Sequence, residues 1–303
     1  MEDYSNYLKA KGYSTKSVTS IVNTAIKFLE WVQISNLELE TLTYNDITAY
    51  VKHNQQRSIT NRTLQLMVIQ VKHYLNYLVE ADVLKHNPAL TLTIKNAKRK
   101  TVYNILSNEE LETIYKSYTT EIKKHLIAPP QVMNELARKR NKVLLGLFIY
   151  QGITTEDAKI ITTKQLELRE GKITILGTRR SNERTLKLEA HQIFDLYDYI
   201  NQTRKQIIHL TKKQSELLFI STGNGKDLQN ALQKLTKEIT TKNNNVENLH
   251  QIRASVITNW LKHYNKRKVQ YMAGHKYVSS TESYEANNIE ALQEDVERFY
   301  PEL

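Results

Sequence analysis

Four side chains in the C-terminal third of the sequence form an ordered set that suits phosphoryl transfer. His250 and Arg253 are three residues apart, so a helix places both on one face. Gly274 and His275 follow, and Tyr284 lies nine residues beyond that histidine. Imidazole and guanidinium donors neutralise charge on a pentavalent phosphorane, and a phenol can attack without a metal. The set predicts transfer of a phosphodiester to the Tyr284 hydroxyl.

Such a transfer needs no nucleotide, because a phosphotyrosine bond keeps the energy required to rejoin the strand. It needs no metal, because cationic side chains neutralise the charge on the phosphorane. The close glycines Gly223 and Gly225 belong to no dinucleotide fingerprint and to no Walker loop. The chain has no cysteine, which excludes thiolate zinc sites, cysteine nucleophiles and a disulfide scaffold. We therefore expect no cofactor and no metal.

Charge and aromatic content point to a polyanionic partner. The chain has 43 Lys and Arg against 32 Asp and Glu, a formal charge of +11, and 18 tyrosines. Such a basic, aromatic composition is typical of nucleic-acid binding. There is no apolar N-terminal run and no window of about 20 apolar residues, so neither a signal peptide nor a membrane span is predicted. We expect a soluble, cytoplasmic protein.

The elements that must position these side chains are predicted to be mostly helices in two domains. With 8 glycines and 4 prolines in 303 residues, the chain is far below the roughly 12% of these residues in an average protein. From 4 to 80 the apolar residues recur at helical spacing, which predicts four helices closed off before Pro88. The predicted N-caps are Ser14, Asn45 or Asp46, and Thr60 or Asn61.

The second domain is predicted to begin with a capping box at Ser107 and Glu110. Predicted helices cover 107–120, 137–151, 189–208, 226–240, 250–263 and 266–273. Lys172 to Leu176 and Arg184 to Leu188 predict a short β-hairpin. The fold class is mainly α with a small β-sheet or hairpin: a helical domain in 1–94, a linker in 95–102, and a mixed α/β domain in 103–303.

The predicted linker carries four positive charges and no apolar period. These charges belong to Lys95, Lys98, Arg99 and Lys100. Cations in an extended segment can lie along a phosphate backbone, so we predict DNA contacts for all four. A solvated tether is the alternative.

The ordered set resembles the signature of the tyrosine recombinase, or phage integrase, family. That signature is an arginine, a lysine in a β-hairpin, His-x-x-Arg, Gly-His, and a tyrosine about nine residues later. His250, Arg253, His275 and Tyr284 match its later members in type, order and spacing. The stretch GYSTKSVTSIVNTAIKFLEWV and the HNPA stretch are similar to the family's four-helix core-binding domain. The resemblance covers essentially the whole chain and implies a catalytic domain in 103–303.

The resemblance implies a role for each matched residue. Tyr284 is the implied nucleophile, forming a 3′-phosphotyrosyl link and releasing a 5′-hydroxyl. Arg253 would hold a non-bridging oxygen, His275 would hydrogen-bond the phosphate, and His250 would position or deprotonate the tyrosine. The implied function is a site-specific recombinase or integrase of a bacterial mobile element or phage, acting at the nucleoid.

The resemblance also implies partners. These are double-stranded DNA, three further copies of the chain in a homotetramer on two DNA sites, and accessory DNA-bending proteins, with no membrane. The last segment, NNIEALQEDVERFYPEL, has Ile289, Leu292 and Val296 on one helical face. The family implies that this helix packs on a neighbouring protomer and controls Tyr284. An ordinary helix packed on its own domain is the alternative.

The chain departs from the family pattern at the first arginine. The corresponding stretch runs from Gln151 to Asp157 and places Thr154 at the arginine position, while Asp157 matches the family's acidic residue. Loss of one charge-stabilising donor costs about 2.7 to 4 kcal/mol, or on the order of 10² to 10³ in rate. Either another cation substitutes, or the protein is slow or inactive.

The predicted hairpin contains arginines that can supply the missing charge. The sequence does not fix which hairpin residue takes the family's lysine position. Counting back from Leu188 places Arg179 at the family's lysine position, and counting forward from Gly177 places Thr178 there. An alignment on a Lys-Thr pattern selects Arg180 instead. Arginine supplies charge but is a poor proton donor, since its pKa exceeds about 12. A solvated or phosphate-contacting hairpin tip is the alternative.

Two other functions remain open from the sequence. Thr154 and the missing hairpin lysine are compatible with a silenced homologue that binds and bends DNA as an architectural protein. A relaxing topoisomerase uses the same tyrosine chemistry, but a tetramerising C-terminal helix argues against it.

Overall fold

The computed structural model describes residues 1–96, 103–120, 129–223, 225 and 228–285. The chain divides into two compact units, Met1–Thr101 and Val102–Leu303. Within the described residues, no helix combines the length and the apolarity that crossing a membrane requires.

The N-terminal unit is built from four helices. They are α1 (Glu2–Ala10), α2 (Thr15–Ile34), α3 (Tyr44–Gln55) and α4 (Asn61–Glu80), with a short 3₁₀ turn at Leu39–Thr41. Leu64, Val68, Val71 and Leu75 of α4 are buried at the spacing of one helical face. They pack into one apolar core with buried side chains of the other helices, such as Phe28.

Two of the predicted N-caps are confirmed and one is wrong. Ser14 accepts from the Ser17 N–H at 3.3 Å, and Thr60 accepts from the Thr63 N–H at 3.2 Å. Helix α3 is capped by Thr43 and not by Asn45 or Asp46. The Asp46 carboxylate reaches back to the Thr43 N–H at 2.8 Å, so it closes a capping box from inside the helix.

The C-terminal unit contains nine helices and a three-stranded sheet among its described residues. In chain order they are α5 (Asn108–Ser117), α6 (Pro129–Tyr150), α7 (Thr155–Ile160), β1 (Leu166–Glu167), β2 (Lys172–Ile175), β3 (Arg184–Lys187), α8 (Ala190–Asp198), α9 (Arg204–Thr211), α10 (Gln229–Lys242), α11 (Leu249–His263), α12 (Lys266–Ala273) and α13 (Val278–Glu282). The mainly helical fold class with a small antiparallel sheet is confirmed.

Several boundaries differ from the predictions. Helix α6 begins eight residues before 137, and the predicted helix 189–208 is interrupted by a π-helical turn at Tyr199–Thr203. Helices α7 and α13 and strand β1 were not predicted, because segments of two to six residues show too little periodicity. The predicted capping box at Ser107 and Glu110 is confirmed, with hydrogen bonds of 3.1 and 2.8 Å.

The sheet is antiparallel in the order β1-β2-β3. Ile173 of β2 pairs with Leu166 of β1 and with Leu186 of β3. Along β3 the side chains alternate, so Arg184 and Leu186 are buried while Thr185 and Lys187 are exposed. This alternation directs the Arg184 guanidinium into the protein.

Helix α11 runs through the middle of the C-terminal unit. Its residues from Gln251 to Asn259 are all buried. Ser255 Oγ accepts from the Leu106 N–H at 3.0 Å, and Asn259 Nδ2 donates to the Leu106 carbonyl at 3.0 Å. Polar groups of a buried helix therefore hold the segment before α5, which keeps α11 in one position.

We expect Ser107→Ala to lower the free energy of unfolding of the C-terminal unit by about 1 kcal/mol, because it removes the α5 cap. Urea unfolding followed by Trp260 fluorescence in a Trp31→Phe background measures this, since the chain has 2 tryptophans. Thr113→Ala, at an exposed position of the same helix, is the matched control and should change it by less than about 0.5 kcal/mol. Equal losses in both variants would contradict the assignment.

Candidate active site

Arg253 is the buried centre of the site, only 6% exposed. It stands one turn into α11, whose first turn is capped by Asn248. Its Nη1 donates to the Gly152 carbonyl, and its Nη2 donates to the Ala273 carbonyl at 2.7 Å. One guanidinium therefore joins the end of α6, helix α11 and the end of α12.

The Gly152 position is suited to this contact. Its φ is +53°, a left-handed conformation that favours glycine. A Cβ added there would lie 3.2 Å from side-chain carbons of both Val256 and Trp260. The turn after α6 thus packs directly on α11, which aims its carbonyl at Arg253.

His275 follows the left-handed C-cap of α12. Gly274 has a φ of +68°, and the His275 N–H donates to the Gln270 carbonyl at 3.0 Å. Arg253 Nη2 lies 3.4 Å from His275 Nε2, and Thr281 Oγ1 lies 2.9 Å from Nδ1. Because arginine only donates, Nε2 is the acceptor and the proton sits on Nδ1, where it is donated to Thr281.

Burial and two neighbouring cations keep this imidazole neutral. Desolvation first, and then the charges of Arg253 and Arg184, together lower the pKa of His275 from 6.5 to about 4. Burial likewise lowers the pKa of Arg253, and Tyr284 and Asp157 oppose that shift. Arg253 keeps its charge, so the site presents a fixed cation beside a neutral imidazole.

Tyr284 lies next to this pair. Its ring stacks on the His275 ring, with centroids 5.6 Å apart and planes inclined by 11°. The rest of the side chain packs on the small apolar cluster of Ile257, Val269 and Ala273. Tyr284 is half-buried.

A cavity of about 330 Å³ brings the predicted site residues together. It is lined by Phe148, Ile153, Thr154, Thr155, Leu249, His250, Arg253 and Tyr284. His250 is exposed on the first turn of α11, and its ring lies 5.8 Å from that of Tyr103. The lining thus combines three apolar side chains with five side chains that carry polar hydrogen-bonding groups.

Thr154 is the N-cap of α7, and both its hydroxyl and its backbone N–H take part in the cap. Its Oγ1 accepts from the Asp157 N–H at 3.0 Å, and its own N–H donates to Asp157 Oδ2 at 2.8 Å. It lines the cavity without offering any positive charge. The prediction that Thr154 stands at the family's first arginine position stays a prediction, and its side chain brings no charge to the cavity.

Asp157 has a partner that sequence reasoning missed. Arg184 Nη2 donates to Asp157 Oδ2 at 2.7 Å, and both side chains are almost wholly buried. Burial acts to raise the pKa of Asp157, but Arg184 and the Thr154 hydrogen bonds outweigh it, so the net shift is downward. The alternation of residue types along β3 was an available signal for the burial of Arg184, although not for its partner.

The hairpin tip lies against the turn that carries His275. Ser181 forms a β-bridge with His275, and the Asn182 N–H donates to the Gly274 carbonyl at 3.0 Å. Arg179 and Arg180 are both exposed at this tip. Lys276 Nζ donates to the Arg179 carbonyl at 3.0 Å.

Other sequence predictions fall partly outside the described residues. Lys95 is exposed, whereas Lys98, Arg99 and Lys100 lie outside the described ranges, as do Ile289, Leu292 and Val296. Arg140, in the middle of α6, is buried and donates to the Ile220 carbonyl at 2.9 Å. Across the described part of the chain, no three His, Asp or Glu side chains converge as metal ligands do.

Comparison with known proteins places the chain in a family. A model of the phage integrase family matches residues 106–290. The chain belongs to the phage integrase family. A model of the phage integrase N-terminal SAM-like domain matches residues 1–82, so the resemblance found in the sequence is confirmed for both halves of this integrase.

Full-length relatives are tyrosine recombinases. The integrase is 22% identical to tyrosine recombinase XerC of Listeria welshimeri over 306 residues, 99% of this chain and 97% of that protein. It is 21% identical to tyrosine recombinase XerD of Oceanobacillus iheyensis over 307 residues, 99% of this chain and 98% of that one.

Two solved structures show the same fold. One is the XerH site-specific recombinase bound to palindromic difH substrate in a post-cleavage complex, with a TM-score of 0.72, 19% identity and coverage of 95% of this chain and 81% of that one. The other is a lambda integrase dimer bound to a COC' core site, with a TM-score of 0.63, 13% identity and coverage of 95% and 94%.

His275 should titrate far below an ordinary histidine. Because its pKa is about 4 when folded and 6.5 when exposed, the unfolded chain binds the extra proton between these values. Acid should therefore destabilise the protein from pH 6.5 down to 4, more steeply than it destabilises His275→Gln. NMR titration of the His275 ring, assigned by that variant, measures the midpoint, and a value of 6.5 or above would contradict the assignment.

Proposed function

We propose that this integrase is a site-specific DNA recombinase that cuts and rejoins strands through a 3′-phosphotyrosyl intermediate at Tyr284. One observation carries the proposal: Tyr284 stacks on His275 and shares a cavity with Arg253 and His250. The four side chains come from α11, the turn after α12 and the residues after α13, which the fold brings to one place.

Each side chain has a role that its contacts support. The Tyr284 oxygen attacks the scissile phosphorus, and the 5′-oxygen leaves as a hydroxyl after taking up a proton. Arg253 has five N–H donors, and those not bound to carbonyls or to His275 are free to hold a non-bridging oxygen. Since both ends of its fork are anchored, it needs no reorganisation during the reaction.

His275 acts after DNA has entered the site. In the free protein its Nε2 carries a lone pair, which cannot donate to a phosphate. A phosphodiester anion beside the ring favours the charged imidazolium, so DNA binding at neutral pH is coupled to proton uptake by this residue. Protonated His275 then donates to the phosphate, while Thr281 keeps the ring oriented.

His250 is placed to act on the nucleophile. It is exposed at the cavity mouth, on the same helix as Arg253, and it lines the same cavity as Tyr284. A neutral imidazole there can accept the phenolic proton or hold the hydroxyl in line.

The partner in this proposal is duplex DNA, held by both units of the chain and along the Lys95–Lys100 segment. The net charge of +11 supports a polyanion as the ligand. The DNA complexes of XerH and lambda integrase, which share the fold, support the same choice. A homotetramer on two DNA sites, accessory DNA-bending proteins, an origin in a bacterial mobile element, and action at the nucleoid in the bacterial cytoplasm belong to the proposal as expectations.

A DNA-binding homologue without cleavage is the second candidate. One observation favours it: the Thr154 side chain is used as a helix cap and offers no charge to a phosphate. The first candidate requires that another cation supply that charge.

A nicked suicide duplex separates the two candidates. The unchanged protein should form a covalent adduct that denaturing electrophoresis resolves, and Tyr284→Phe should form none because it lacks the attacking oxygen. Tyr277→Phe, an exposed tyrosine seven residues earlier, is the matched control and should keep the adduct. If the unchanged protein shifts the duplex but gives no adduct, the enzyme proposal is lost.

The hairpin arginines are tested in the same assay. If one of them supplies charge to the phosphate, Arg179→Ala or Arg180→Ala should slow cleavage on the order of 10²-fold. Arg169→Ala, which removes an exposed arginine from the other hairpin turn, is the matched control. Full activity in both tip variants would exclude the tip as the substitute cation.

A further inference from the structure

Arg184 is a buried cation with unused hydrogen-bonding capacity. It is only 1% exposed and is the largest of the fully buried side chains. Its Nη2 binds Asp157, but its Nε and Nη1 are buried without any hydrogen-bond partner. Burying charged donors without partners is costly, so such a group in a native protein calls for an explanation.

The position of Arg184 ties it to the active site on two sides. A Cβ added to Gly274 would lie 2.5 Å from Arg184 Nη1, so the guanidinium lies directly beneath the turn that carries His275. On the other side, its Nη2 and the Thr154 N–H donate to the same oxygen of Asp157. The guanidinium thus lies between His275 and the position where the family carries its first arginine.

The charges around this point do not cancel. Arg184 and Arg253 are two buried guanidiniums, and Asp157 is the one carboxylate that pairs with either of them among the described residues. Beside the larger effect of burial, the charge of Arg184 lowers the pKa of Arg253, and the charges of both arginines lower the pKa of His275. A buried cluster with a net positive charge attracts an anion into the adjoining cavity.

Three other arginines are less suited to this role. Arg140 is buried, but its donors are bound to the Ile220 carbonyl and to Asn141. Arg179 and Arg180 are exposed at the hairpin tip, where water screens their charge.

We propose that Arg184 replaces the charge missing at Thr154: from beneath the Gly274–His275 turn it stabilises the negative charge that develops on the scissile phosphate. It acts as a positioning and electrostatic residue, through Asp157, the turn and the field at the cavity, and the phosphate does not touch it. This inference rests on the proposed recombinase function.

The test compares two variants on two substrates. Arg184→Lys keeps the charge, whereas Arg184→Gln keeps a donor to Asp157 but is neutral. Single-turnover cleavage is measured on a suicide duplex with an ordinary scissile phosphodiester and on one with a neutral methylphosphonate there. The methylphosphonate transition state carries one negative charge fewer, so it gains less from a distant cation.

On the phosphodiester we expect Arg184→Gln to be slower than the unchanged protein by about 10² to 10³-fold, and Arg184→Lys by less than about 10-fold. On the methylphosphonate the two variants should differ by less than about 10-fold. Adding Thr154→Arg to Arg184→Gln should restore phosphodiester cleavage, because it returns a guanidinium to the neighbouring position.

Control measurements separate charge from folding. Arg140→Gln, another buried arginine, should slow both substrates by the same factor. Melting temperatures show whether each variant folds, and if Arg184→Gln is unfolded at the assay temperature, all variants are compared at a lower temperature at which it is folded.

Equal losses of Arg184→Gln on both substrates, or equal rates of Arg184→Gln and Arg184→Lys on the phosphodiester, would overturn the inference. Those outcomes leave the recombinase function intact, since the unchanged protein still cleaves. Absence of any adduct with the unchanged protein overturns both.

Discussion

The burial of the Arg253 guanidinium is the interaction on which the site depends. Its bonds to the Gly152 and Ala273 carbonyls join the end of α6 and the end of α12 to α11. These carbonyls lie at the ends of two helices, so the cation is part of the fold. A charged group that is fixed by the fold before DNA arrives needs no reorganisation when a phosphate binds.

The electrostatic design of the site has a cost in stability. Two guanidiniums and one carboxylate are buried together, and desolvation of charges in a protein interior is unfavourable unless each is well paired. The burial of α11 and the apolar core around Leu144 and Phe148 offset that cost. The buried cluster has a net positive charge, and a site with a net positive charge is suited to binding an anion.

The helix caps and Arg184 show which features can be predicted from the sequence and which cannot. Ser14, Thr60 and Ser107 were correctly identified as caps, because a side-chain oxygen before a helix is a local signal. Thr43 was missed because three neighbouring residues could each cap α3 and only backbone geometry distinguishes them. Arg184 was assigned only to a strand, since nothing local shows which carboxylate a buried arginine will meet.

The sequence alone shows the order and spacing of His250, Arg253, His275 and Tyr284. It also shows that Thr154 is neutral. Residue types and intervals are one-dimensional properties, so no fold is needed to read them. Tertiary structure decided the rest. The contact between Arg184 and Asp157 joins residues 27 positions apart, and the neutral state of His275 arises from burial beside two cations on other segments. Desolvation and charge pairing depend on distance in space, which the fold sets and the order of residues does not.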